Sequence, residues 1–448
     1  MSEFQVVYIP IGVPTFHLES AQKEFENSIK LLETLSDNVI APNEMLLSID
    51  KLKAYIEDKN PGLIVLQNIT FANSAYASEV LLRFPDVPII LWTLREPVID
   101  GGRLRLNSLT GAYSAANTIK KLKQGSFEYI FGGATEDAVR EKLGATIKAA
   151  ELKFKLRTIR IASIGQTPEG FGFGRALDSD LLKYFGVRHD AIEARELIDR
   201  AKSYSDEDCK EYLDDALKRT VGLENTPEQN RNDFVKLYKA YVEYLQEKNI
   251  VVISSRCWPD FFTSFGTPVC AVLGLLNDRG ISASCETDTY GALSMYIAKE
   301  LSENPVFFGD PVSLDESVNT ITFWHCGMAA CSLARQDTGA VIGEHCNRYI
   351  GPTMEFGLKP ADEVTVFRIG VDEKGDFRFL IYEGSALDMP KQFFGTSVVV
   401  KTNSKAEEII NQTVLEGWEP HFVVAYKNIA DELEILGHML NISVERIV

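Results

Sequence analysis

Alternating strand and helix signals constrain the fold of this chain more strongly than any other feature of its sequence. Short apolar runs such as QVVYIPIG (5–12) and GLIVLQN (62–68) predict buried strands. The segment 20–36 between them predicts a helix, because apolar residues recur on one face: Phe25, Ile29, Leu32 and Leu35. This strand–helix order is typical of a parallel sheet covered by helices.

The same order restarts at TIRIASIG and then gives way to a different one. In the last third of the chain, short apolar runs are separated by turn signals such as DEKGD, which is typical of an antiparallel sheet. We therefore predict an α/β protein with two doubly wound (Rossmann-like) α/β domains, residues 1–155 and 156–304, followed by a mostly antiparallel β domain at 305–448.

The charge of the chain narrows the classes of partner. The 46 lysine and arginine residues are outnumbered by 64 aspartate and glutamate residues, which gives a formal net charge of −18. A nucleic acid or an anionic membrane would be repelled by such a surface. We therefore expect a small-molecule ligand as the main partner, with no nucleic acid and no membrane. An anionic small molecule in a local basic pocket remains compatible with this charge.

Apolar runs and cysteines indicate the compartment. The longest apolar runs have the length of strands and fall short of the roughly 20 residues that cross a bilayer. The N-terminal MSEFQVVYIPIG has no basic region ahead of an apolar core, so no secretory signal is expected. The seven cysteines include no CxxC pair, which favours reduced thiols. We expect a cytoplasmic protein.

The glycine-rich turn GQTPEGFGFG (165–174) follows a predicted strand, as phosphate-binding loops do. Its glycines do not have the GxGxxG spacing, and Phe171 and Gly172 stand where GxxxxGK[ST] requires lysine and a hydroxyl residue. We interpret the turn as a flexible loop over a small-molecule pocket.

Four side chains at the ends of predicted strands are candidates for a metal site. Glu286 ends ISASCE, Asp310 ends PVFFGD, His325 lies at the end of TFWH, and His421 precedes FVVAY. Strand ends are where α/β proteins place ligands. Carboxylates and imidazoles, with no thiolate cluster, suit Mn²⁺ or Mg²⁺. The alternative interpretation of each histidine is a satisfied core residue.

Several stretches of the chain resemble the L-fucose/L-arabinose isomerase superfamily. The strongest are CWPDFFTSFGTPVCAVLGLLNDRGISASCETDTYGALSMYIAKEL, PVFFGDPVSLDESVNTITFWHCG and PHFVVAYKN. NSLTGA and IGQTPEGFGF are similar to segments of the superfamily as well. The resemblance spans nearly the whole chain, and it is specific for the superfamily and not for the sugar.

This resemblance implies an aldose–ketose isomerase that acts on a monosaccharide or modified sugar through a cis-enediol. It implies Mn²⁺, or another divalent ion such as Mg²⁺ or Co²⁺, held by Glu286, Asp310 and His421. Glu286 and Asp310 would also serve as catalytic acid and base. Asp288 is interpreted as an outer residue of the site or as the start of the next helix. Members of the superfamily form hexamers or trimers, so we expect a homo-oligomer with pockets shared between subunits.

Substrate-binding roles are predicted for four further residues: His17, Arg256, Trp258 and His325. The resemblance places His325 at or near the metal and His17 in a domain that contributes to a neighbouring subunit's pocket. Trp258 would stack on a face of the sugar. The alternatives are a structural loop histidine for His17 and core packing for Trp258.

The identity of the sugar stays open, because position 17 and the residue before His421 depart from the pattern of the superfamily. One alternative is a sulfosugar isomerase that converts sulfoquinovose to sulfofructose. The cationic end of its sugar pocket would be formed by four basic residues: Arg103, Arg105, Arg256 and His17. Another alternative is a catalytically silent sugar-binding relative, although all three implied metal ligands are present. A binding protein of the periplasmic type would lack the third domain.

Overall fold

The chain divides into two units in the computed structural model, which describes residues 3–122 and 127–448. The first unit comprises the residues up to 155 together with 431–441. The second comprises 156–430 and 442–448.

A five-stranded parallel sheet forms the centre of the first unit, in the order β2-β1-β3-β4-β5. Its strands are β1 (Val6–Ile11), β2 (Val39–Ile40), β3 (Leu63–Asn68), β4 (Ile89–Thr93) and β5 (Glu128–Phe131). Every residue of β1, β3 and β4 is buried. Such strands form when helices cover both faces of a parallel sheet.

The helices of this unit are amphipathic and pack their apolar faces on the sheet. They are α1 (Leu18–Leu35), α2 (Ile49–Ile56), α3 (Ser74–Arg83), α4 (Ser108–Leu122), α5 (Asp137–Leu156) and the helix Ala430–Leu440. In α1 the buried apolar residues include Phe25 and Leu32, as the helical spacing predicts.

A second parallel sheet opens the second unit, in the order β7-β6-β8-β9. Its strands are β6 (Arg160–Ile164), β7 (Arg188–Ile192), β8 (Val252–Ser255) and β9 (Ser282–Cys285). The helices of the second unit are α6 (Asp178–Asp180), α7 (Ala194–Ser203), α8 (Lys210–Arg219), α9 (Glu228–Lys248), α10 (Cys270–Asp278), α11 (Thr289–Ser302) and α12 (Ala406–Leu415).

An eight-stranded, mostly antiparallel sheet completes this unit, in the order β14-β17-β11-β10-β18-β15-β16-β19. Because β17 also pairs with β16, six of these strands close into a ring. The remaining strands of the unit are β10 (Phe307–Asp315), β11 (Thr320–His325), β12 (Ile342–Gly343), β13 (Thr353–Met354), β14 (Phe356–Gly357), β15 (Ala361–Val371), β16 (Phe377–Ala386), β17 (Thr396–Thr402), β18 (Phe422–Ala425) and β19 (Ser443–Ile447). Strands β12 and β13 pair separately.

Helix α11 lies between the two sheets of the second unit and is buried along almost its whole length. It packs against β8 on one side and against β15 and β18 on the other. The Ser294 hydroxyl accepts the backbone N–H of Ile369 on β15 at 3.0 Å. A helix that is apolar on all faces must be enclosed in this way.

The predicted fold class is confirmed, with two parallel sheets followed by a mostly antiparallel one. The division into three domains stays a prediction. One detail of the strand assignment was wrong: Asp310 does not end a strand but lies inside β10. Among the described residues, no helix is long and apolar enough to cross a membrane.

Candidate active site

Three of the predicted site residues meet in the second unit. His421 Nε2 lies 3.1 Å from Glu286 Oε2 and 3.5 Å from Asp310 Oδ1. Glu286 follows β9, Asp310 lies in β10, and His421 directly precedes β18. The histidine is buried, whereas the Asp310 side chain is 31% exposed and the Glu286 side chain 16%. The two carboxylates therefore form the accessible side of the group.

The backbone of the turn after β9 sets the direction of Glu286. Glu286 and Thr287 both adopt the left-handed conformation, with φ of 57° and 54°. Non-glycine residues rarely enter this region, and each one costs about 1–3 kcal/mol. The two residues reverse the chain between β9 and α11. Strain of this kind is retained where the surrounding structure enforces it, as it does at many active sites.

Asp288 connects this turn to the buried part of the site. Its Oδ1 accepts the N–H of Gly291 at 2.8 Å and so caps α11. Arg368 on β15 donates to Oδ2 at 2.6 Å and to Oδ1 at 3.2 Å, and both side chains are fully buried. His421 Nδ1 donates to Oδ2 at 3.0 Å. This last hydrogen bond leaves Nε2 directed at Glu286 and Asp310.

The charges around His421 favour a cation at this position. Burial acts to raise the pKa of Asp288, but the charge of Arg368 and the hydrogen bond from His421 outweigh it and lower that pKa to about 2. Burial acts to lower the pKa of His421, but hydrogen bonds to Asp288 and Glu286 and the charge of Asp310 raise it to about 10. Three carboxylates thus stabilise positive charge at one point, whether on an imidazolium or on a bound cation.

The donor set at this point fits a divalent ion. Glu286, Asp310 and His421 supply two carboxylates and one imidazole, a combination that suits Mn²⁺ and similar ions. Ligands about 2.1 Å from an octahedral ion lie roughly 3 Å from one another. His421 Nε2 lies at close to this separation from both carboxylates, at 3.1 and 3.5 Å. The group whose donor atoms all lie within 4.8 Å of one another is Glu286, His325 and His421, so Asp310 would have to move towards Glu286 for both to ligate one ion.

His325, at the end of β11, faces the same group. One of its ring nitrogens lies within 4.8 Å of a Glu286 oxygen and a His421 nitrogen. Its Nδ1 accepts the backbone N–H of Cys326 at 2.9 Å, so in the neutral ring the proton is on Nε2. Together with Glu286 and His421, His325 could also hold a metal ion, and its substrate-binding role stays a prediction.

Buried thiols lie next to His325, although the spacing of the cysteines in the sequence predicted no thiolate cluster. Cys270 Sγ lies 4.0 Å from Cys326 Sγ, and donor atoms of Cys285, His325 and Cys326 lie within 4.8 Å of one another. Hydrogen bonds from Cys270 and Cys285 lower the pKa of Cys326 well below its usual value. The three cysteines come from distant segments, so their spacing in the sequence gave no sign of the cluster.

Trp258 contacts the accessible carboxylate directly. Its Nε1 donates to Glu286 Oε1 at 3.4 Å, and its ring is partly exposed. Arg256 Nε donates to the Trp258 carbonyl at 3.0 Å and lies 2.8 Å from Asp260 Oδ2. The Arg256 guanidinium therefore already has a carboxylate partner, and it is joined to the site through Trp258.

The glycine-rich turn predicted as a loop lies beside these residues. The Phe171 ring is 6.0 Å from the Trp258 ring, and the Phe173 ring is 5.8 Å from the His421 ring. A Cβ at Gly174 would lie 2.8 Å from Asp288 Cα, so this position accepts only glycine without movement. The turn therefore brings two aromatic rings against the candidate site.

His17, Arg103 and Arg105 belong to the first unit and have local partners there. His17 Nδ1 accepts the N–H of Ser20 at 3.3 Å and caps α1. Arg103 donates to the Thr15 carbonyl, and Arg105 lies 3.8 Å from an Asp100 oxygen. The substrate-binding role of His17 stays a prediction.

Arg368, which organises the buried side of the site through Asp288, was not predicted from the sequence. A signal was present, because Arg368 is the single charged residue in the apolar run VTVFRIGV. A charge inside a buried strand requires a partner. The partner, Asp288, is 80 positions away in the chain, so the sequence alone did not identify it.

Replacement of Arg368 by methionine should destabilise the second unit strongly. The change leaves Asp288 buried without its counter-charge, which costs about 3–5 kcal/mol in comparable pairs. We expect a clear fall in the midpoint of thermal unfolding. The exposed, ion-paired Arg195 on α7 provides the control, and Arg195→Met should change stability by less than about 0.5 kcal/mol. Equal midpoints for the two variants would contradict a structural role for the buried pair.

Comparison with known proteins gives close relatives over the full length of the chain. A sulfoquinovose isomerase of Clostridium sp. (strain MSTE9) is 57% identical over 445 residues, which is 99% of each chain. Sulfoquinovose isomerases of Priestia aryabhattai and Alkalicoccus urumqiensis are each 35% identical, again over 99% of each chain. No protein-family profile matches the sequence.

Proposed function

We propose a function from one premise: the chain belongs to the sulfoquinovose isomerase family. It is therefore an enzyme of the isomerase class, which confirms the class predicted from its sequence. The reaction is the aldose–ketose isomerisation of sulfoquinovose, a hexose with a sulfonate at C6, to sulfofructose. The observation that carries this substrate is the 57% identity to a sulfoquinovose isomerase along the whole chain.

Glu286 and Asp310 are the groups that transfer protons in this proposal. One proton leaves C2 of the open-chain aldose to give a cis-enediol, and a proton is returned to C1. A second proton passes from the C2 oxygen to the C1 oxygen. Two carboxylates on the accessible side of one site can carry out both transfers, and acid–base catalysis of this kind contributes about 10²–10⁴-fold to the rate. The partial exposure of the Glu286 and Asp310 side chains supports their assignment as proton-transfer groups.

Glu286, Asp310 and His421 would hold the divalent ion, which we propose to be Mn²⁺ or a related ion such as Mg²⁺ or Co²⁺. When bound, the ion would polarise the sugar oxygens at C1 and C2 as a Lewis acid. The support for this cofactor is the chemistry of the donor set and the approach of both carboxylates to His421 Nε2, at 3.1 and 3.5 Å.

Asp288 and Arg368 position His421 and do not contact the sugar in this scheme. Arg368 keeps Asp288 ionised, and Asp288 holds Nδ1 so that Nε2 faces the accessible carboxylates. A carboxylate on the far nitrogen of a ligating histidine fixes the ring and raises its basicity. His325 and Trp258 are assigned to the sugar, the first as a donor to a hydroxyl and the second as a stacking surface.

Three wider expectations stay predictions. They are membership of the L-fucose/L-arabinose isomerase superfamily, a cytoplasmic location, and assembly into a hexamer or trimer with shared pockets. Support for assembly comes from exposed apolar side chains in the first unit, where Ile99 is 94% and Tyr113 75% exposed.

Isomerisation of sulfoquinovose in D₂O tests the proposed function. The purified protein, supplied with Mn²⁺, should form the ketose and introduce deuterium at C1 of the product and at C2 of recovered aldose, because solvent exchanges with the transferred proton. NMR spectroscopy measures both positions. An absence of ketose would overturn the proposed function. Ketose without deuterium would support the isomerase activity but would exclude a transferred proton that exchanges with solvent.

Glu286→Gln should lower kcat/KM by about 10²–10⁴-fold, because the amide can neither accept the proton nor carry the charge. Trp258 Nε1 can still donate to the remaining carbonyl oxygen, so the fold should persist. The matched control is Glu316→Gln, an exposed glutamate in the turn after β10. Near-normal turnover by Glu286→Gln would remove Glu286 from the mechanism.

Removal of divalent ions with a chelator should abolish turnover, and Mn²⁺ should restore it. His421→Gln should fail to recover under the same conditions, because it lacks the imidazole ligand. Metal analysis by plasma mass spectrometry would accompany the assay. Full activity of a protein shown to be free of metal would rule out the proposed cofactor.

A further inference from the structure

Arg348 occupies the loop between β12 and β13 with an unusual set of neighbours. Its Cζ lies 5.5 Å from the centre of the Trp258 ring and 4.8 Å from the centre of the Phe262 ring. The residue is partly buried. Guanidinium groups stack on aromatic faces in this way, and the contact holds the planar group in place while its N–H edge remains available.

The charge of this arginine is not balanced locally. Among the residues that the structure describes, no carboxylate forms an ion pair with Arg348 and no acceptor bonds its side chain. Other arginines of the second unit near the site differ: Arg256 pairs with Asp260, and Arg368 pairs with Asp288. In a chain with a net charge of −18, an arginine held between aromatic rings without a counter-ion is available to an anionic ligand.

The Trp258 side chain contacts both Arg348 and the accessible carboxylate of Glu286. Trp258 contacts the guanidinium with its ring and donates through Nε1 to Glu286 Oε1 at 3.4 Å. A hexose that reacts at C1 and C2 beside Glu286 carries its C6 substituent at the opposite end of a six-carbon chain. Such a chain, laid along the Trp258 ring, would bring that substituent towards Arg348.

We propose that Arg348 binds the sulfonate group at C6 of the substrate and thereby selects the sulfosugar over neutral hexoses. This assignment rests on the proposed function. The sulfonate has three equivalent acceptor oxygens and one negative charge, and a guanidinium can donate two parallel hydrogen bonds to such a group. Because Trp258 and Phe262 already hold the guanidinium, little side-chain freedom is lost when the anion binds.

Arg256 is the one of the four predicted basic residues that lies in the second unit, and it is a weaker candidate than Arg348 for binding the sulfonate. Arg256 donates to the Trp258 carbonyl and pairs with Asp260, so an incoming sulfonate would have to displace an existing partner. Its role is better described as support for the Trp258 loop. Arg348 requires no such displacement.

The test compares sulfoquinovose with 6-deoxyglucose, which has the same ring and no sulfonate. In Arg348→Met, which keeps length and removes charge, kcat/KM for sulfoquinovose should fall about 10- to 100-fold, the loss expected for hydrogen bonds to a charged group. The same constant for 6-deoxyglucose should change little. Arg348→Lys should retain an intermediate preference, and Arg195→Met should behave as the wild type.

Each outcome separates this inference from the function on which it rests. A fall in the sulfoquinovose to 6-deoxyglucose ratio, carried mainly by KM, supports sulfonate binding by Arg348. An unchanged ratio overturns it, and so does an equal loss on both sugars in a folded variant, since that pattern marks a structural role. If the wild type fails to isomerise sulfoquinovose at all, the proposed function is what fails.

Discussion

The ion pair between Arg368 and Asp288 is the interaction on which the rest of the site depends. Neither side chain reaches solvent, so each would be costly to bury without the other. The same carboxylate caps α11 and holds His421 Nδ1. One buried charge pair therefore joins the helix between the two sheets to the imidazole that faces Glu286 and Asp310. The accessible carboxylates contact this buried inner layer through His421 Nε2.

The site is assembled where two different sheets of the second unit approach one another around α11. The parallel sheet supplies Glu286 at the end of β9, and the mostly antiparallel sheet supplies Asp310 and His421. Burial increases from the carboxylates inward to His421 and Asp288. Electrostatic interactions strengthen in the same direction, because water is progressively excluded. This gradient suits the proton transfer that we propose for the outer carboxylates, because they contact solvent while the inner charged groups do not.

Periodicity in the sequence was sufficient for the fold, because fully buried strands and one-sided helices leave distinct patterns. The grouping of Glu286 with Asp310 was expected from their placement at strand ends, yet Asp310 lies inside β10, and β9 and β10 belong to different sheets. Their selection with His421 came from resemblance to known isomerases. The pairing of Asp288 with Arg368 and the thiols around Cys326 were beyond the sequence, because contacts between distant segments leave no periodic signal. No sequence signal pointed to Arg348, because only its aromatic neighbours in the fold distinguish it from other arginines.

The left-handed turn at Glu286 and Thr287 has a consequence for engineering. Glycine or asparagine would adopt these dihedral angles more readily than the native residues. A selection for thermostability alone would therefore favour such replacements at positions 286 and 287. At position 286 the gain would remove the carboxylate to which we assign proton transfer, and under that proposal higher thermal stability would come at the expense of turnover. Stabilised variants of this enzyme should be sought elsewhere in the fold.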